Sequence, residues 1–190
     1  VSNVSNLPII DFIEEYLNSH GVECHRVYNP AGDKANLYAN AGPAVDGGVI
    51  LSGHTDVVPV VGQDWDTDPF KVVEKDGKLY GRGTCDMKGF DAIALTAVPK
   101  ALKRGIKRPI QIAMSYDEEV GCIGAPFMAA EMAKLMPKAS AAIIGEPSMM
   151  KAVSGHKGGL GIKTHVRGFE VHSSLQLSLI HISEPTRLGM

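Results

Sequence analysis

Neither sign of charge dominates this 190-residue chain. Nineteen Lys and Arg stand against 21 Asp and Glu, a formal net charge of −2. That balance gives no electrostatic reason to expect nucleic acid or an anionic membrane as partner. No apolar run approaches the ~18 residues of a membrane span. Cysteine is scarce, and Cys24, Cys85 and Cys122 are odd in number and lack C-x-x-C spacing. A disulfide framework and a structural zinc module are therefore disfavoured, and a reducing cytoplasm is the simplest compartment. No basic, apolar and small-residue signal layout follows Val1, no repeat or low-complexity segment occurs, and we expect the natural N-terminus to lie upstream. What remains is 44% apolar and 21% charged, the composition of a globular protein with room for one core and the start of a second domain.

Periodicity places the elements. Asn6-Leu7-Pro8 predicts a capped helix start, Ile9, Ile10, Ile13, Tyr16 and Leu17 share one face, and Gly21 stops it. Strands are predicted at residues 22–28 and 36–39, and at 48–52 as a run buried on both faces. Residues 70–80 predict a hairpin turning at Asp76-Gly77. A helix follows from Met87 to about Arg104, with Phe90, Ile93, Ala97 and Ala101 inward, Pro99 as a kink and Gly105 as the stop. Then come a strand at 110–115, a helix at 123–135 and a buried strand at 139–144. Strands alternating with helices predict an α/β sheet, and sites in such sheets gather beyond the carboxyl ends of strands.

Three of these apolar strands each end in a candidate metal ligand. His54 lies in Gly53-His54-Thr55-Asp56-Val57-Val58-Pro59, Glu118 and Glu119 in Asp117-Glu118-Glu119, and Glu146 in Gly145-Glu146-Pro147. A fourth acidic residue, Asp86, opens a helix. Each has an ordinary structural explanation. A strand-end His is usually hydrogen-bonded, loop carboxylates are solvated, Asp86 suits a helix N-terminus, and Glu146 before Pro147 suits a turn. All four explanations must hold together to defeat a site. Imidazole mixed with carboxylates suits Zn²⁺, Co²⁺ or Mn²⁺, whereas a calcium site is all oxygen. Asp56 then reads as the carboxylate partner behind His54. Gly81-Arg82-Gly83 lacks a G-x-x-x-x-G-K-[ST] pattern and is no phosphate cradle. Cys85 beside Asp86 reads as a small packing residue, because a neighbouring carboxylate disfavours a thiolate.

Residues 177–190 stand apart. Leu177-Ser178-Leu179-Ile180-His181-Ile182-Ser183-Glu184-Pro185-Thr186-Arg187 looks like the translation of a sequencing-library transposase adapter, and we expect this tail, with His181, to be non-native read-through.

Ser52-Gly53-His54-Thr55-Asp56-Val57-Val58-Pro59, Leu79-Tyr80-Gly81-Arg82-Gly83-Thr84-Cys85-Asp86-Met87-Lys88-Gly89, Asp117-Glu118-Glu119 and Gly145-Glu146-Pro147-Ser148 resemble, in order, the motifs of the M20 metallopeptidase family. The match runs over about residues 6–174. The resemblance implies a zinc-exopeptidase-like catalytic domain of α/β class, with a mixed, largely parallel sheet flanked by helices, begun but not completed in residues 1–158. It further implies the first strand of an α+β lid and dimerisation domain in residues 159–176. It implies two Zn²⁺ ions (Co²⁺ possible) bridged by Asp86, with His54 and Glu146 completing one site and Glu119 serving the other. Asp56 would orient His54, Glu118 would be the general base, and the Asp86–Met87 peptide would be cis. His172, in Gly168-Phe169-Glu170-Val171-His172-Ser173-Ser174, would reach the partner subunit's site in a homodimer. Cys85 and Ser148 depart from the family's usual Ala and Thr without touching the ligand set. Gly155-His156-Lys157-Gly158-Gly159 and His172-Ser173-Ser174 resemble the family's acetylornithine deacetylase branch more than its succinyl-diaminopimelate desuccinylase branch. That implies a small N-acyl amino acid, N2-acetyl-L-ornithine, as substrate. The family's last metal-ligating His has no counterpart here, so we expect this chain to be inactive by itself.

Overall fold

The computed structural model describes residues 1–155, 157, 158 and 160–165. The chain divides into two compact units, Val1–Lys151 and Ala152–Met190. The described residues of the second unit carry no helix or strand. His172 and the expected read-through at 177–190 lie outside the described residues, as does most of the expected lid strand.

In the first unit the elements run α1 (Leu7–Ser19), β1 (Cys24–Tyr28), β2 (Ala35–Ala41), β3 (Gly48–His54), β4 (Val73–Lys75), β5 (Lys78–Tyr80), α2 (Lys88–Lys103), β6 (Ile110–Ser115), α3 (Ala125–Leu135) and β7 (Ala139–Ile144). Five strands form one sheet in the order β1-β2-β6-β3-β7. β6, β3 and β7 are mutually parallel and β2 runs against its neighbours, so only β2 points the other way. The chain is thus α/β with a mostly parallel sheet. β4 and β5 make the separate hairpin, with Asp76 and Gly77 both at positive φ (52° and 68°) as a two-residue I′ turn requires.

Helices cover both faces. α1 and α2 bury Ile10, Ile13, Leu95 and Val98 against Leu37 and Ile112, while α3 seats Met128 and Met132 on Tyr38 and Ala113. β6 lies between β2 and β3, and its residues from Gln111 to Ser115 are buried. Even Gln111 is buried there, its amide donating to the Pro137 carbonyl at 2.8 Å.

Four expectations need correction. Asn6 does not cap α1; its amide donates to the Ala35 carbonyl (2.8 Å) and Thr55 Oγ1 (2.9 Å), tying the helix start to β2 and to the end of β3. β3 is half-buried rather than enclosed, because its outer neighbour is an edge strand. That edge strand, β7, is itself exposed, with Ile143 and Ile144 51% and 60% accessible. Its apolar composition reads as burial, but its terminal place in the sheet leaves it uncovered.

The fourth correction concerns α2, which turns Asp91, Ala94, Leu95 and Val98 inward and leaves Ile93 68% exposed. Two glycines set that rotation. A Cβ on Gly53 would lie 1.9 Å from Asp91 Oδ1, and one on Gly145 would lie 2.0 Å from the Phe90 ring. The first turn of α2 therefore rests directly on the ends of β3 and β7, which brings Asp86 up to the strand termini. We expect Gly145→Ala to destabilise the chain by about 1–3 kcal/mol through overpacking, as measured by urea unfolding. Gly155→Ala is a control for a glycine with nothing near its Cβ position and no positive φ.

Candidate metal centre

β3 and β6 run parallel with His54 opposite Ser115, so the residues following each emerge at the same edge of the sheet. β7 ends alongside, where the Gly145 N–H donates to the Ser52 carbonyl at 3.1 Å. The chain segments carrying His54, Glu118, Glu119 and Glu146 thus converge because of strand register, and α2 delivers Asp86 from the side. The Asp86–Met87 peptide is cis, as the family resemblance implied. Asp86 does not cap α2, which has no side-chain cap.

His54 is 1% exposed and forms the floor. Its Nδ1 lies 3.0 Å from the Asp56 carbonyl and 3.4 Å from Asp56 Oδ1. An N–H at Nδ1 fits those acceptors and aims Nε2 at the opening. Nε2 meets Asp86 Oδ1 at 3.0 Å, Glu146 Oε1 at 3.7 Å and Glu118 Oε2 at 3.8 Å. Two donor triplets result, His54 with Asp86 and Glu119, and His54 with Glu118 and Glu146, each with its ligand atoms within 4.8 Å of one another. The floor is buried, but the carboxylates of Asp86, Glu118 and Glu146 remain one-third to nearly one-half exposed. A small molecule can reach them.

The electrostatics fit a cation. Burial works against charging the imidazole, yet its hydrogen bonds with Asp56 and Asp86 outweigh that and push His54 up to about 9. Glu119 is raised by burial and then by Asp86, and Glu146 by burial and then by Asp86, Glu118 and Glu119. Nε2 faces three carboxylates, so either a proton or a metal must lie between them. A divalent ion satisfies the imidazole and the mutually repelling carboxylates together. The residues present fit a Zn²⁺-type site.

Asp56 does more than orient an imidazole. It is 3% exposed, and its two oxygens accept the Glu118 N–H (3.1 Å), the Glu119 N–H (3.3 Å) and the Ser2 hydroxyl (2.7 Å). Burial raises its pKa, but these bonds and His54 lower it well below the usual carboxylate range. One carboxylate thus fixes both the ring and the acidic turn. The sequence reading placed Asp56 behind His54 and missed its grip on residues 118 and 119.

Four other residues went unseen. Ser2 supports Asp56. Lys88, half-buried and with its pKa lowered by that burial, donates to the Thr55 carbonyl. Lys34 pairs with Asp117. Asp91 sits beneath Gly53 with Oδ1 buried and unbonded. No sequence signal pointed to Lys34, whereas Asp91 could have been suspected from the run of apolar residues around it. Cys85 is exposed rather than packed, and the exposed Cys122 thiol donates to Glu118 Oε1 at 3.4 Å.

Burial pushes Asp91 from 3.8 up to about 7, against the pull of Lys88. An acid raised on folding holds its proton more tightly in the native state. Its contribution to stability is complete below pH 3.8 and is lost as pH rises through about 7. We expect unfolding free energy from urea titrations to decline across that window, and Asp91→Asn to remove that part of the slope.

A sequence profile of peptidase family M20/M25/M40 matches residues 50–188. The chain belongs to peptidase family M20/M25/M40. An acetylornithine deacetylase from Pasteurella multocida (strain Pm70) is 39% identical over 171 residues, 90% of this chain and 44% of the relative. Among solved structures, human carnosine dipeptidase 1 matches 73% of this chain and 32% of its own at 25% identity and a TM-score of 0.65. An M20 family metallo-carboxypeptidase from Sulfolobus solfataricus matches 74% of this chain and 31% of its own at 22% identity and a TM-score of 0.60, which shows the shared fold. The chain spans less than half the length of these relatives. M20 membership implies a divalent metal, and the donor cluster at the ends of β3, β6 and β7 is where the described residues of this M20 chain could hold one.

Proposed function

We propose that this sequence belongs to a two-metal amide hydrolase that cleaves N2-acetyl-L-ornithine into L-ornithine and acetate, a step toward arginine. The observation that carries the hydrolase reading is the convergence of His54, Glu118, Glu119 and Glu146 at the ends of three parallel strands, joined by Asp86 from just before α2. The acetylornithine substrate rests on the P. multocida relative and on the H-K-G and H-S-S segments. Asp86 would bridge two Zn²⁺ ions, with Co²⁺ able to substitute. His54 and Glu146 would hold one and Glu119 the other. Charge supports the count, since Asp86, Glu118, Glu119 and Glu146 together match two divalent cations, while Lys34 already answers Asp117.

Cations held there would polarise the amide carbonyl and acidify a water. The chain's own residues do the rest. Asp56 accepts from His54 and keeps Nε2 directed outward. Glu118 takes a proton from the attacking water as the C–O bond forms. It passes that proton to the amine nitrogen as the C–N bond breaks, giving acetate and the free amine. His172 would donate to the developing oxyanion from the partner subunit of a homodimer. Three free cysteines suit a reducing cytoplasm. Among the described residues no helix is long and apolar enough to cross a membrane.

The test is an assay of the full-length protein carrying this sequence on N2-acetyl-L-ornithine, N-succinyl-diaminopimelate and a dipeptide. Zn²⁺-dependent hydrolysis with the highest kcat/KM on acetylornithine is the expected result. Preference for another substrate would reassign it within the family, and metal-independent inactivity on all three would mark a non-catalytic homologue.

A further inference from the structure

We propose that Lys34 is a positioning residue for the Glu118–Glu119 pair, acting through Asp117. This rests on the reading that Glu118 and Glu119 serve a metal-assisted reaction. Lys34 lies just before β2, 83 residues from its partner in sequence. Its Nζ meets Asp117 Oδ1 at 2.6 Å and Oδ2 at 2.7 Å, and both side chains are only 13% exposed. An exposed ion pair contributes little, but a two-oxygen contact shielded from water holds geometry.

Asp117 needs such holding. Its φ of 53° is left-handed, a conformation that a non-glycine residue adopts at a cost. That twist turns the chain at the end of β6 and presents the Glu118 and Glu119 N–H groups to Asp56. The acidic turn is therefore fixed at two points, by Lys34 on the Asp117 side chain and by Asp56 on the following backbone. Ser2 links the two anchors, its carbonyl accepting from Lys34 Nζ and its hydroxyl donating to Asp56 Oδ2.

Lys34 is in turn preset. Asn29 Oδ1 accepts the Asp33 and Lys34 N–H groups, both at 3.1 Å, and the Asn29 N–H donates to the Lys34 carbonyl at 2.9 Å. The ammonium bonds to the Asp117 carboxylate and to the Ser2 carbonyl. Without Lys34, Asp117 would add an unbalanced negative charge next to Glu118 and Asp56, and the turn would be free to leave the left-handed conformation. Both changes would move the two glutamates away from His54 Nε2.

The experiment is amide hydrogen exchange on the 190-residue chain without added metal, comparing wild type with Lys34→Met, Lys34→Arg and Asp117→Asn. We expect exchange at residues 117–123 to rise about tenfold in Lys34→Met and Asp117→Asn, with α1 and β6 unchanged and Lys34→Arg close to wild type. A Co²⁺ titration of the full-length protein, followed by visible absorption, gives the second readout, with weaker binding in Lys34→Met and recovery in Lys34→Arg. Unchanged exchange at 117–123 would overturn the proposal. So would loss of protection throughout β6 in both disruptive variants, which would make Lys34 part of the general fold. Failure of the wild-type full-length protein to bind Co²⁺ would instead count against the metal reading, leaving the exchange result to judge Lys34 separately.

Discussion

We expect Glu118→Gln in the full-length protein to lower kcat for amide hydrolysis by about 10²- to 10⁴-fold, the span attributed to general acid–base groups, while bound metal stays the same. The geometry makes this substitution informative. Glu118 Oε2 stands 3.8 Å from His54 Nε2 with the side chain 33% exposed, inside the donor cluster yet open to water and substrate. Its backbone is held by Asp56, and Oε1 accepts from the Cys122 thiol. Glutamine keeps the size and one acceptor oxygen but cannot take a proton from water and return it to nitrogen. Steady-state kinetics with metal analysis on the same samples checks this. A large fall in kcat with unchanged metal assigns proton transfer to Glu118, whereas parallel loss of metal would make it a ligand.

Asp86→Ala is the second large effect. Asp86 Oδ1 lies 3.0 Å from His54 Nε2, and Asp86 forms a donor triplet with His54 and Glu119. Under the proposed assignment Asp86 would serve both metal positions, and its removal should weaken both. We expect Zn²⁺ affinity by competition titration to fall by at least ~100-fold, beyond the cost of losing a partner that merely orients a ligand. Asp56→Asn, which touches His54 and the acidic turn from behind, should cost about 10- to 100-fold. The order of these two variants separates a bridging ligand from its support.

The parts of this arrangement that could be read from the sequence share one property. His54, Glu118, Glu119 and Glu146 each follow an apolar strand, and parallel strands in register bring such ends together. The local pattern therefore carried the long-range geometry. Lys34 and Ser2 were invisible because nothing near them in the chain hints at Asp117 or Asp56, which are 83 and 54 residues away. Asp91 went unseen because helical periodicity gives a carboxylate no inward place. Here two glycines, at 53 and 145, fix the rotation of α2 and turn Asp91 inward and Ile93 outward. β7 shows the opposite error, since an apolar strand was taken as buried although its place in the sheet is set by topology.

The most direct test of the two-metal centre is a crystal structure of the full-length protein soaked with Zn²⁺, with data collected across the zinc absorption edge. Two anomalous peaks flanking the Asp86 carboxylate are the expected result, one beside His54 and Glu146 and the other beside Glu119. A single peak, or zinc bound away from Asp86, would contradict the assignment.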